Sequence, residues 1–311
     1  MHKTEGLIET HIHGGFGIDF MNCETDDFIE VATKITKLGI TRIYPTLMTG
    51  DLKQIKEQIQ KIKQAQQKQP KDSALISGVH LEGPFINPFK KGIHQDRYII
   101  KPTISNYKKI EDDIIKIVTI APELDNRRDL CKYLHTKGVL VQAGHTMTGN
   151  LEECDSVTHL FNAMPPISHK IDNIIASALS NDKMFLEIIA DGNHVIDDVL
   201  KMVFKAKSRE KTILISDALP FTHADEDTFE FAGQTVRFEN GSFYNSEGTL
   251  AGSGMFVSDI LKRVVNSGLL TFEDAVYRMN ITPAKYLHVL NNAYVTFDDN
   301  LNAIQTNFTK M

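Results

Sequence analysis

Residues 7–15 read LIETHIHGG, an apolar, β-branched run that ends in two histidines and then two glycines. On a strand, residues i and i+2 point to the same side, so His11 and His13 can reach one ion together. Seven further runs of this kind follow, at roughly 41–47 (TRIYPTL), 75–82 (LISGVHLE), 117–122 (IVTIAP), 139–144 (VLVQAG), 156–161 (SVTHLF), 185–190 (FLEIIA) and 212–217 (TILISD). They are largely unalternating, the pattern of buried parallel strands. Helical periodicity separates them, most clearly over 26–38, 51–67, 126–137, 171–180 and 197–208, while 84–103 and 146–155 are less clear. Alternating strand and helix predicts a parallel sheet. Eight strands predict closure into a (β/α)8 barrel, although a doubly wound open sheet has a similar local signature.

The placement of polar residues favours the barrel. His11, His13, Glu82, His145, His159 and Asp217 all fall at or near the C-terminal end of a run. The C-terminal rim of a (β/α)8 barrel is the face where such residues converge on one cavity. After the eighth run the pattern changes. Residues 228–250 read as antiparallel strands around Glu239-Asn240-Gly241, 254–267, 272–280 and 282–289 as helices, and 293–308 as a hairpin around Asp298-Asp299-Asn300.

Composition narrows the partners. The chain has 311 residues, 41% of them hydrophobic, enough for one large barrel and a small appendage. No apolar run approaches the ~18 residues of a membrane span, and residues 1–9 (MHKTEGLIE) lack the regions of a signal peptide. Cys23, Cys131 and Cys154 are widely spaced and odd in number. Neither a disulfide framework nor a CxxC metal site is expected, and a reducing, cytoplasmic setting is. A net charge of −6 with no long basic run argues against nucleic acid. An anionic substrate would need a local positive pocket.

Each candidate residue carries a bland reading beside its chemical one. A carboxylate facing a barrel mouth, as Glu82 does, is costly unless paired or bound to a cation; the alternative is a salt bridge or a helix cap. His145 and His159 are, taken singly, as readily core histidines. Neutral imidazoles with one carboxylate also make a three-ligand catalytic site with an open position. Asp217 is a ligand, a general base, or both. His80 shares the parity of Glu82 but lies deeper and reads as a structural, hydrogen-bonded histidine. Asp191 reads as a turn or cap residue, and His194 as poised for substrate. His2, His135, His223 and His288 read as surface or core histidines.

Taken together, HIHGG, HLEGPF, GHT, THLFNAMPP, ADGNHV, SDA and GTLAGS resemble the N-acetylglucosamine-6-phosphate deacetylases of the amidohydrolase superfamily, from about Gly6 to about Leu287 and in family order. A dihydroorotase-like relative would more often show a lysine ending the fourth strand, where this chain has IAPE. The resemblance implies a TIM barrel with metal on Glu82, His145 and His159, and Glu82 bridging to a second ion on His11, His13 and Asp217. One or two divalent ions are implied, and these N and O donors suit Zn, Fe(II), Mn or Co alike. The resemblance places His94, in KKGIH, near the acetamide of the substrate. It places Asn162 and Ala163 at the phosphate, and His194 on the substrate as well. Lys170 stands where the family usually has an arginine that reaches the phosphate, often in a partner subunit's site. Lysine keeps the charge and loses the bidentate fork, so weaker phosphate affinity is expected.

The implied activity is hydrolysis of the acetamide of N-acetyl-D-glucosamine 6-phosphate to glucosamine 6-phosphate and acetate, by a homodimer, with Asp217 moving the proton. Two rivals stand beside it: the same chemistry on N-acetylgalactosamine 6-phosphate or another N-acyl compound, and a non-catalytic sugar-phosphate-binding homologue. Family members usually carry a longer N-terminal stretch that forms half of a small β-sandwich, and here the first strand starts close to Met1. Residues 1–290 are therefore expected to form the barrel. Residues 291–311 are expected to be a reduced β-sandwich appendage that is vestigial, completed by a neighbour, or missing its half. Glu9 stands where an aspartate is common.

Overall fold

The computed structural model describes residues 1–226, 228–290 and 293–308. All eight runs are strands of one parallel sheet: Leu7–Ile12, Ile40–Met48, Val79–Glu82, Ile115–Ile120, Leu140–Ala143, Ser156–Val157, Phe185–Ile189 and Thr212–Ile215, each paired with the next in chain order. The eighth returns to the first. The Asp217 N–H donates to the His11 carbonyl at 3.0 Å, and the His13 N–H donates to the Ala218 carbonyl at 2.9 Å. That closure makes the sheet a (β/α)8 TIM barrel and excludes the open, doubly wound alternative.

The third, sixth and eighth strands stop well short of their apolar runs, for a shared backbone reason. The third is interrupted at Gly78, whose φ is 154°, leaving Leu75–Ile76 as a separate short strand. The sixth and eighth stop at Val157 and Ile215 because His159 and Asp217 have φ of 26° and 53°. A strand does not continue through left-handed backbone. His159 therefore sits just past its strand rather than within it.

Helices Thr25–Thr36, Leu52–Lys68, Asp129–Thr136, Ile174–Ser180 and Asp197–Ala206 cover the barrel. Leu52–Lys68 shows why they form. Ile55, Ile59, Ile62 and Ala65 recur at helical spacing and are fully buried. Asp51 caps the start by accepting the Lys53 N–H at 2.8 Å. Each buried isoleucine contributes roughly 1.5–3 kcal/mol, so Ile59→Ala would loosen this helix. The two unclear links are irregular: 84–103 holds only short 3-10 turns, and 146–155 holds turns.

Inside the barrel, below the mouth, the filling is polar. Thr119 and Thr158 share a hydroxyl–hydroxyl bond of 2.8 Å, Thr158 donates to Gln142 at 2.8 Å, and Gln142 donates to Glu187 at 3.1 Å. Ile117, Ile189, Ile213, Ile215 and Tyr286 make a separate buried apolar cluster.

Two small antiparallel sheets are appended. Thr228–Phe231, Gln234–Glu239, Ser242–Asn245 and Leu250–Ser253 form a meander that turns at Asn240 and Gly241, with φ of 52° and 88°. A tight hairpin turn of this kind requires positive φ at both residues. A bridge from Ala218 to Ser253 ties the meander to the barrel rim. The expected terminal hairpin forms from Ala293–Phe297 and Ala303–Phe308, and it has a third strand. His2–Glu5 pairs antiparallel with Ala293–Phe297, so the two ends of the chain make one sheet. Phe297 docks that sheet on the barrel at Gly39, whose φ is 85° and where any Cβ would stand 2.8 Å from the Phe297 ring. The boundary expected between residues 290 and 291 abuts 291–292, which lie outside the described residues.

Candidate metal centre and active site

Two glycines begin the site. At Gly14 a side chain would collide with the carbonyl of Ile18, and at Gly15 with the ring of Phe256. The chain can therefore turn sharply after His11 and His13, which leaves both imidazoles at the mouth of the barrel. Glu82, at the end of the third strand, is the hub. Its Oε1 lies 3.0 Å from His159 Nε2, 3.1 Å from His145 Nε2 and 3.4 Å from His11 Nε2. Its Oε2 lies 3.3 Å from His13 Nε2 and 3.4 Å from His94 Nε2. Asp217 closes the ring from just past the eighth strand, 3.1 Å from His13 Nε2 and 3.5 Å from His11 Nε2. His145, His159 and Asp217 all have positive φ, at 47°, 26° and 53°. Such strain persists only where surrounding structure fixes it, and it concentrates at functional sites.

The charges explain one another. Burial pushes Glu82 up, but the charge of His11 and the hydrogen bonds of His11, His13 and His145 outweigh it, holding the carboxyl well below its ordinary range. Asp217 is lowered against burial in the same way, chiefly by His11 and His13. Burial works against a charged His13, yet its bonds to Asp217 and Glu82 lift it to about 9. His11 is held well above its usual value against burial, by the charges of Glu82 and Asp217. A field that draws protons onto imidazoles draws a divalent cation equally, and protons and metal compete for such ligands.

The residues fit such an ion. His11, His13 and Asp217 form one group of ligand atoms within 4.8 Å of one another, and Glu82, His94 and His145 form a second. Among the described residues, His11 Nε2 is fully buried with no hydrogen-bond partner, although it faces both carboxylates. His94 is thus closer to the cluster than its expected substrate role requires. Burial, with the charges of His145 and His13, lowers it to about 4, so its imidazole is neutral. Thr49 Oγ1 holds its Nδ1 at 2.7 Å. His80 is engaged at both nitrogens, by the Thr10 carbonyl at 3.0 Å and Thr119 Oγ1 at 2.8 Å, the structural role expected of it.

Above the cluster lies a cavity of about 330 Å3, lined by His13, Glu82, His94, His145, His159, Asp217, Lys90, Asn162, Ala163, His194, Thr249, Leu250 and Ala251, among others. Of the expected substrate residues, His94, Asn162, Ala163 and His194 are brought together here. Lys170 is not: it is exposed and does not line this cavity. The cavity's lysine is Lys90, whose Nζ donates to the Met164 carbonyl at 3.0 Å. Sequence reasoning missed Lys90 because a Lys-Lys pair on a loop reads as solvated surface; its place four residues before His94 was the available signal. Asp191 is more than a turn residue. It accepts the N–H groups of Asn193 and His194 at 2.9 Å, and also the His194 Nδ1–H at 2.7 Å and the Ser242 hydroxyl at 3.0 Å. It thereby orients the imidazole that faces the cavity.

No protein-family model matches the chain. Curated relatives do. N-acetylglucosamine-6-phosphate deacetylase of Bacillus subtilis is 33% identical over 262 residues, which is 80% of this chain and 66% of that protein. N-acetylgalactosamine-6-phosphate deacetylase of Escherichia coli O157:H7 is 26% identical over 292 residues, 91% of this chain and 77% of that one. The solved structure of N-acetylglucosamine-6-phosphate deacetylase from Thermotoga maritima superposes with a TM-score of 0.90 at 27% identity, covering 98% of this chain and 87% of that one. The chain belongs to the N-acetylglucosamine-6-phosphate deacetylase family. It spans just under two thirds of the Bacillus subtilis relative. Within the family's frame, GTLAGS explains the meander: Thr249, Leu250 and Ala251 wall the cavity while Ser253 bridges to the rim. Among the described residues no helix is long and apolar enough to cross a membrane.

Proposed function

We propose that this deacetylase-family chain hydrolyses the acetamide of N-acetyl-D-glucosamine 6-phosphate, giving glucosamine 6-phosphate and acetate. The observation that carries this is the convergence of five imidazoles on Glu82, beside Asp217, at the floor of a cavity whose wall holds Lys90, Asn162 and Ala163. Glu82, His145 and His159, and His11, His13 and Asp217, would hold one or two divalent ions (Zn, Fe(II), Mn or Co). Such an ion, when bound, would lower the pKa of water toward neutrality and polarise the carbonyl to be attacked.

The chain's own residues do the rest. Asp217 accepts the proton of the attacking water, and a C–O bond forms as the amide carbonyl becomes tetrahedral. Neutral His94, held by Thr49, donates to the acetamide oxygen as charge develops there. Asp217 then delivers the proton to the nitrogen, the C–N bond breaks, and the amine leaves. His194, oriented by Asp191, holds the sugar. Lys90 and Asn162 hold the phosphate and fix the reacting carbonyl over the cluster.

The chain acts as a homodimer. Lys170, exposed and with exposed Ile167 and Ile171 beside it, would serve a partner's phosphate site. The unpaired state of Cys23, Cys131 and Cys154 fits a reducing compartment, the cytoplasm. The 26% identical Escherichia coli relative favours one second reading, the galactosamine epimer. Acetate release from both sugar phosphates, on protein whose metal has been quantified, tests both readings. Turnover abolished by chelation and restored by metal is expected, faster on the glucosamine epimer. Preference for the other epimer would exchange the two readings, and no turnover with metal present would remove both.

A further inference from the structure

Glu187 is a carboxylate in contact with the cluster that the proposed mechanism does not use. It lies on the seventh strand, fully buried, and among the described residues its partners include no lysine or arginine. A buried carboxylate in that position is costly unless its oxygens are fully engaged. They are. Oε1 accepts the Thr10 hydroxyl at 3.0 Å and the Gln142 amide at 3.1 Å, and Oε2 faces His11 Nδ1 at 3.3 Å.

The consequence falls on His11. A carboxylate can only accept, so His11 keeps a proton on Nδ1 toward Glu187 and leaves Nε2, which faces Glu82 and Asp217, as the atom that gives up its proton to a cation. The other imidazoles at the hub are held differently. The Lys90 carbonyl holds His145 at 2.7 Å, the Thr49 hydroxyl holds His94, and the Nδ1 atoms of His13 and His159 have no partner among the described residues. His11 alone in this set is fixed by a carboxylate.

We infer that Glu187 is a positioning residue that sets the His11 tautomer and so makes the His11–His13–Asp217 group competent to hold a cation, while leaving the Glu82–His145–His159 group unaffected. This rests on the metal reading of the site.

The discriminating variant is Glu187→Gln. It keeps the shape and the acceptor for Thr10 and Gln142, but turns an N–H toward His11. The imidazole must then accept at Nδ1, which moves its proton to Nε2, against the cation. The first readout needs no metal. Long-range 1H–15N spectra of the metal-free full-length protein, with His11 assigned by its loss in His11→Gln, should show a protonated Nδ1 in the wild type and an unprotonated Nδ1 in Glu187→Gln. An unprotonated Nδ1 in the wild type overturns the proposal even if the variant fails to fold. The second readout is cobalt(II) titration of the same proteins. The variant should lose about 10- to 100-fold in affinity at one class of site and keep the other. Unchanged cobalt affinity in a folded variant, with wild-type protein binding fully, overturns the role of Glu187 alone. Wild-type protein that takes up no cobalt overturns the metal reading beneath it.

Discussion

His145 Nε2 and His159 Nε2 stand 3.1 Å apart, and each is within 3.1 Å of the same Glu82 oxygen. Two N–H groups cannot face each other at that distance, so at least one ring turns a lone pair toward the shared point. Glu82 then organises ligands that are stable together only with a positive charge among them. Folding and cation binding are therefore linked. Metal at 100 times its Kd should stabilise the chain by about 2.7 kcal/mol, seen as a rise in Tm that a chelator reverses. Glu82→Gln should abolish the rise. A Tm that is indifferent to chelator and metal in the wild type would contradict the assignment.

Asp217 is asked to move a proton twice, so its loss should fall on the chemical step. Asp217→Asn keeps an oxygen ligand but removes the base. The expected result is retained metal by mass spectrometry, a KM within a few-fold of wild type, and a kcat lower by about 10^2- to 10^4-fold, the range general acid–base catalysis contributes. A near-normal kcat would remove Asp217 from that role.

The barrel was legible because its eight strands carry largely unalternating, mostly apolar runs whose burial needs no tertiary information to foresee. The hub was legible because imidazoles and carboxylates at strand ends are costly in any other place. What escaped the sequence depended on contacts between distant segments. HKTE at residues 2–5 is too short and polar to show a strand period, and it becomes one only because Ala293–Phe297 offers an edge. Lys90 looks like solvated surface until its loop folds over the mouth to meet Met164. Lys170, chosen by its alignment with a family arginine, lies outside the cavity because the loop that bears it faces outward. Glu187 reads as one polar residue in an apolar strand, and the hydroxyl, amide and imidazole around it come from two other strands.

Lys90 is the cation that the cavity wall offers to a phosphate. A charged hydrogen bond contributes about 1.5–3 kcal/mol, so Lys90→Ala should raise KM for the sugar phosphate roughly 10- to 100-fold with kcat less affected. The same variant should behave like wild type on N-acetylglucosamine, which has no phosphate to lose. Equal losses on both substrates would show that Lys90 shapes the loop rather than binding the anion.

Asp191 links stability to acid. Burial opposes its ionisation, but the hydrogen bond and charge of His194, with the N–H groups of His194 and Asn193, hold its carboxyl below the ordinary range. A carboxylate lowered by folding stabilises the native state fully above its unfolded pKa, about 3.9, and loses that contribution as pH falls through the folded value. Asp191→Asn should therefore cost about 1.5–3 kcal/mol, the scale of a hydrogen bond to a charged group. The gap from wild type should be constant between about pH 5 and pH 8 and close only below about pH 4. Urea unfolding of both proteins across that range measures it directly. A gap that instead widened on acidification would mean that Asp191 is protonated in the folded chain, and the orientation of His194 would need another cause.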